Sequence, residues 1–201
     1  MLVDALSDDV YTVYMSTRIV IINCALDELQ AVGLDKLSLR AVGKRVGITP
    51  MAVYRHFQDK ADLLHALGEH ALSQWRARVE QIEEADLRAW FNAVTYAFVE
   101  FALDSPALFD AAFVLSTRAE RIYPHDFIEG RSPVIGAFTA RLASGQQRGL
   151  VRQGDALEIA MMCWGLLQGL VGMHRSGRFN LSREDFTGMC LRAVARIIYK
   201  D

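Results

Sequence analysis

Residues 37–60 read Leu-Ser-Leu-Arg-Ala-Val-Gly-Lys-Arg-Val-Gly-Ile-Thr-Pro-Met-Ala-Val-Tyr-Arg-His-Phe-Gln-Asp-Lys, and their punctuation decides the fold. Ser38 can cap a short helix whose apolar residues Leu39, Val42 and Val46 recur at helical spacing, and Gly47 stands where that helix must stop. Ile48 plugs the corner. Thr49 before Pro50 is an N-cap followed by proline at the first helical position, so a second short helix begins at once and turns Val53 and Phe57 inward. The spacing predicts a helix-turn-helix. Its outer face would carry Arg40, Thr49, Met51, Ala52, Tyr54, Arg55 and His56, a mixture of donors, one aromatic ring and small apolar groups that suits phosphates and base edges.

Upstream, Ile19, Ile22, Ala25, Leu26 and Leu29 recur as i, i+3, i+4 as far as Val32, and Gly33 ends that helix. Two short helices joined by a tight corner cannot bury both apolar faces alone, so this first helix must cover them. Residues 1–15 are weakly patterned and fit either an arm or an early start of the same helix. Downstream, Asp59 with Asp62 caps a long fourth helix predicted to reach about Glu84, long enough to be shared by a small head and a larger body. That makes it a candidate lever.

Asp86, Ser105-Pro106, Ser132-Pro133, Asp155 with Glu158, and Ser182 with Asp185 then open further helices, the last ending near Tyr199. Residues 117–131 are the least regular, with Tyr123-Pro124-His125-Asp126 reading as a loop. No strand or hairpin signal interrupts the series. The expectation is an all-α chain of about nine helices, with a head at residues 1–60 and a body at 61–201.

The formal net charge of −2 argues against nucleic acid until it is divided along the chain. Residues 16–60 hold seven Lys/Arg and four Asp/Glu, net +3, and the remainder holds 15 and 20, net −5. A basic head on an acidic body fits a protein that presents one end to a polyanion. Cys24, Cys163 and Cys190 are few, odd in number and set among apolar neighbours, which points to reduced core thiols. There is no basic n-region of a signal peptide, and the longest apolar run, residues 160–173, is shorter than the roughly twenty residues of a spanning helix. A cytoplasmic protein with no membrane partner is expected.

The segment from Leu39 to Phe57, followed by Asp59-Lys60-Ala61-Asp62-Leu63-Leu64, resembles the DNA-binding signature of TetR-type transcriptional regulators. The Tyr-Arg-His-Phe ending, the lysine three residues later and the preceding helix with its terminal glycine carry the likeness over about fifty residues. The resemblance implies a homodimer, repressor-type activity at a palindromic operator in double-stranded DNA, and a C-terminal domain that binds a small-molecule effector and releases DNA. It also implies roles: Ser38 and Arg40 on phosphate or base, Pro50, Met51 and Ala52 at base edges or thymine methyls, and Tyr54, His56 and Lys60 on phosphates. Residues 163–170, Cys-Trp-Gly-Leu-Leu-Gln-Gly-Leu, also resemble a regulator C-terminal type marked by a tryptophan and then a histidine-glycine pair, with Gln168 in the histidine's place.

In the body, Phe98, Phe101, Phe109, Phe113, Met161, Trp164 and Gln168 are the candidate lining of an apolar cavity for an apolar or aromatic effector, against the plainer reading of simple core. Gly165, Gly169 and Gly172 lie on a strongly apolar helix, where glycine costs about 1 kcal/mol against alanine and so needs a reason. Close approach of another helix supplies one, inside the body or across a two-fold axis. His65, Glu69 and His70 match no metal-ligand spacing, and Ser nucleophile elbows, phosphate-cradling glycine loops and cysteine pairs at metal spacing are absent. No enzyme, cofactor or metal is expected; a scaffold that uses the head for protein interaction is the alternative to a DNA-binding regulator.

Overall fold

The computed structural model describes residues 2–200, with side chains from residue 17 onward. It holds ten helices among these residues: α1 (Leu2–Val32), α2 (Leu39–Val46), α3 (Pro50–Tyr54), α4 (Lys60–Glu80), α5 (Leu87–Asp104), α6 (Pro106–Phe113), α7 (His125–Ile128), α8 (Pro133–Gln147), α9 (Ala156–Arg175) and α10 (Arg183–Ile198). The fold is all-α, one helix richer than expected. The extra helix is α7, a single turn inside the supposed loop; Asp126 builds it by accepting from the Ile122 amide at 2.7 Å while its own amide donates to the Ile122 carbonyl. One turn is too short to show a period in sequence. The choice of arm or helix for residues 2–15 falls to α1, and the side chains before residue 17 lie outside the described residues.

The caps read from sequence form. Ser38 accepts from the Ala41 amide and Thr49 from the Ala52 amide, both at 3.2 Å. Asp59 accepts from Asp62 N–H at 2.8 Å while Asp62 accepts from Gln58 N–H at 2.9 Å, a reciprocal box that starts α4. Asp86, Asp155 and Ser182 likewise accept from first-turn amides. The far end of α4 differs from the expectation: it stops at Glu80, and the Ile82 amide bonds back to the Val79 carbonyl in a tightened last turn.

By packing, the chain divides into residues 1–72 with 106–120, and residues 73–105 with 121–201. The first turns of α4 bury Leu63 and Leu67 in the head's core, and α6 returns to pack on α1 with Ala107 and Ala111 in that same core. Ile21, Ala25, Leu37, Val42, Val53 and Phe57 also belong to it. In the second unit α9 packs against α8 and α10, and α5 against α8, α9 and α10. Trp90, Phe91 and Phe138 form its aromatic centre, with ring centroids 4.6–5.8 Å apart. Burial pushes the Cys163 thiol up to about 12 and Cys190 to about 11, the state of inert core thiols.

α9 corrects one step of the membrane argument. The helix is 20 residues long, more than the uninterrupted apolar run, and by length and composition alone it would be long and apolar enough to cross a membrane. A core helix with one buried stripe passes the same test, and Ile159, Ala160, Cys163, Leu167 and Val171 form that stripe here.

Candidate nucleic-acid interface

The corner between α2 and α3 is set by two glycines. Gly47 takes a left-handed φ of 82°, and its amide and that of Ile48 both donate to the Gly43 carbonyl at 3.0 Å, closing α2 as a C-cap. Gly43 has a different task, which sequence reasoning missed. A Cβ there would lie 2.9 Å from Val53 Cγ2 and 3.3 Å from the Ile48 carbonyl oxygen, so only glycine lets α3 lie this close across α2. A glycine in the middle of an eight-residue helix was the available signal.

Val53 and Phe57 are fully buried, which turns the other side of α3 outward. Met51 is 69% and Tyr54 52% exposed, and Thr49, Pro50 and Arg55 are exposed beside them. Ala52 and His56 are half-buried. On α2, Ser38 and Arg40 are exposed. The structure thus brings Thr49, Pro50, Met51, Ala52, Tyr54, Arg55 and His56 onto one short segment. Lys60 is set apart: it is half-buried, and its ammonium donates to the Leu34 carbonyl at 2.6 Å, which ties the start of α4 to the loop before α2. Two of its three N–H donors are left for another partner.

Charge around the motif is organised from α1. Arg45 reaches back to Glu28 at 3.2 Å and Asp27 at 3.8 Å, pinning α2 to α1. The Arg18 guanidinium lies over the Phe57 ring, 4.6 Å from its centroid. Burial first, and the Arg18 charge second, hold the His56 imidazole below its ordinary value, which favours its neutral form in the free protein.

The expected effector residues lie on α5, α6 and α9. Phe98 and Phe101 pack on Trp75, with centroids at 5.6 and 5.8 Å, and Trp164 lies 6.1 Å from Phe127. Met161 and Gln168 are half-buried on α9. Phe109 and Phe113 face each other at 5.2 Å on α6, in the other compact unit. Gly165, Gly169 and Gly172 are exposed along α9, and a Cβ at any of them would meet nothing within 4 Å. Of the histidine pair on α4, His65 is exposed and His70 is half-buried, with burial lowering its pKa. A cluster absent from the sequence reading gathers His125, Asp126 and Glu129, whose ligand atoms lie within 4.8 Å of one another. Arg131 pairs with Asp126 at 3.1 Å and Glu129 at 2.8 Å, taking the carboxylates a cation would need.

A capped helix-turn-helix with an exposed aromatic and cationic face, joined to a larger helical unit, defines the class of helix-turn-helix regulators. Residues 21–67 match the bacterial regulatory proteins of the tetR family, and residues 91–197 match the tetracyclin repressor-like C-terminal domain. The second match alone takes in more than half of the chain, which belongs to the TetR family. The chain is 30% identical over 105 residues to an HTH-type transcriptional repressor of Mycobacterium tuberculosis, 51% of this chain and 40% of that one. It therefore spans about two fifths of the length of that relative. Over 54 residues it is 43% identical to the class A tetracycline repressor from transposon 1721 of Escherichia coli, 27% of this chain and 25% of the repressor. Among solved structures, a protein of unknown function from Rhodococcus sp. RHA1 has the same fold with a TM-score of 0.75 at 24% identity, covering 91% and 95% of the two chains. The fatty acid degradation regulator FadR from Bacillus halodurans gives 0.72 at 14%, covering 88% and 93%.

Proposed function

We propose that the protein is a transcriptional regulator that binds a palindromic operator in duplex DNA as a homodimer and is released by a small apolar or aromatic effector. The exposure of Met51 and Tyr54 carries this reading. Two large apolar side chains stand in water on a five-residue helix whose opposite side buries Val53 completely, flanked by Arg40, Arg55 and His56. Such a surface suits base edges, thymine methyls and phosphates. Ser38, Thr49 and Lys60 also spend donors or acceptors on caps and on the Leu34 carbonyl, which holds the segment rigid for docking.

The exposed glycine row on α9 supports the homodimer. Among the described residues no group comes within 4 Å of a Cβ placed at Gly165, Gly169 or Gly172, so a second copy's helix can approach along them. In the dimer, two recognition helices would enter successive major grooves about 34–36 Å apart. α4 contributes Lys60 to Leu72 to one compact unit and Ser73 to Glu80 to the other, so a ligand that moves it acts on both. Effector and operator then oppose each other through one coupling free energy.

Fluorescence anisotropy at a stated salt tests this with two probes, duplex DNA from upstream of the protein's own gene and a mixed-sequence duplex. Binding to the first should be about 10³-fold tighter or more, the usual margin of specific over non-specific affinity. Equal affinity for both duplexes would remove the regulator assignment.

A further inference from the structure

We propose that Arg18, on α1 and outside the matched segment 21–67, is a DNA-phosphate contact that extends the cationic edge of the recognition segment. The inference rests on the DNA-binding reading above and adds to it a residue from a different helix. Its geometry is specific. The guanidinium lies over the ring of Phe57, the last residue of Tyr-Arg-His-Phe, and its charge reaches His56 next to that ring. Held over the ring through its charge rather than by a carboxylate, the guanidinium keeps N–H donors for other acceptors.

The contrast with Arg45 sharpens the point. Both arginines join α1 to the helix-turn-helix, yet Arg45 is taken up by Glu28 and Asp27. Among the described residues no carboxylate pairs with Arg18, and it is half-exposed. A cation held by an aromatic face, without a counter-ion and beside a neutral imidazole, is placed for an anion that arrives from outside. Phosphate is the anion that the neighbouring Tyr54, Arg55 and His56 would also meet.

The rival account is that Arg18 only clamps Phe57. Salt dependence separates the two, because each neutralised phosphate contributes about −0.9 to the slope of log K against log salt, whereas lost packing does not. The experiment is anisotropy of the full chain on a mixed-sequence duplex, titrated across salt, for the parent, Arg18→Met and Arg18→Lys. Methionine keeps an apolar stem over the ring without charge. Its slope should be shallower than the parent's by about 0.9, so that the ratio of the two Kd values shrinks about 3.5-fold over a fourfold rise in salt. Arg18→Lys should recover the slope. An Arg18→Met slope equal to the parent's, or an Arg18→Lys slope no steeper than that of Arg18→Met, would overturn the assignment. If the methionine variant loses its helical circular dichroism, Arg18→Gln is judged by the same slope. A parent that fails to bind the duplex at all sinks the DNA-binding reading itself, and this contact with it.

Discussion

Gly43 and Gly68 in one compact unit, and Gly165, Gly169 and Gly172 in the other, pose the same energetic question and receive opposite answers. Each sits inside a helix, where glycine costs about 1 kcal/mol relative to alanine. At Gly43 the compensation is Val53 against the α2 backbone. At Gly68 it is the segment after α6: a Cβ would fall 2.3 Å from Thr117 Oγ1 and 2.7 Å from Ala119 Cβ, so that segment lies against the α4 backbone itself. On α9 nothing among the described residues approaches. A glycine whose reason lies within the fold is crowded. A row of glycines that is exposed and uncrowded has its reason elsewhere, and a second copy is the partner proposed for it.

Substitution by alanine should therefore split the glycines by sign. Gly68→Ala is expected to have the largest effect: the buried Thr117 and Ala119 must shift, overpacking costs about 1–3 kcal/mol or more, and the helix gains back about 1. A net loss of about 2 kcal/mol should lower the melting temperature by about 4–8 °C. Gly43→Ala, at a milder 2.9 Å, should lose about 1 kcal/mol and also weaken DNA binding, because it spreads the α2–α3 corner. Gly169→Ala should do the reverse to the isolated chain, raising its thermal stability by up to about 1 kcal/mol at protein concentrations where it is monomeric. Self-association, read by sedimentation equilibrium, should weaken about tenfold, the equivalent of about 1.4 kcal/mol of lost fit. Gly169→Ala that leaves self-association unchanged would break the comparison, since the α9 row would then have no partner.

The same contrast explains what could be read from the chain alone. Caps are local, so Ser38, Thr49-Pro50, Asp59, Asp86, Asp155 and Ser182 announced helix starts that the structure keeps. The outward face of α3 followed from the period of Val53 and Phe57. What escaped were close approaches between segments far apart in sequence. The return of α6 to α1, the docking of Thr117 at Gly68, the hold of Lys60 on the Leu34 carbonyl 26 residues away and the placing of Arg18 over Phe57 leave no trace in spacing. Helix ends without a stop signal escaped too. Gln81-Ile82-Glu83-Glu84 is compatible with helix in composition, and only the backbone shows the turn that ends α4. Aromatic density likewise marks burial, but not which buried rings share a wall.

The smallest expected effect concerns pH and is the most local. Burial and the Arg18 charge hold the His56 pKa below the ordinary histidine value of about 6.5 in the folded, free protein. The unfolded chain therefore binds this proton first as pH falls. Stability attributable to His56 is intact above about pH 6.5, declines as pH drops toward the folded-state value, and is fully lost below it. DNA should act in the opposite direction. A phosphate near His56 favours the imidazolium, so the complex takes up a proton that the free protein lacks, and affinity should rise as pH falls from about 7 to about 6, by at most tenfold per unit for one proton. Anisotropy on the same duplex at the two pH values, with salt fixed, measures the rise. His56→Gln should flatten it, which separates His56 from His65, His70, His125 and His174. Arg18→Met, by removing a cation beside the ring, should raise the free-state pKa seen by NMR and shrink the proton uptake. An undiminished pH response in His56→Gln would take His56 out of the DNA-facing set and leave Tyr54 and Arg55 to define that edge of α3.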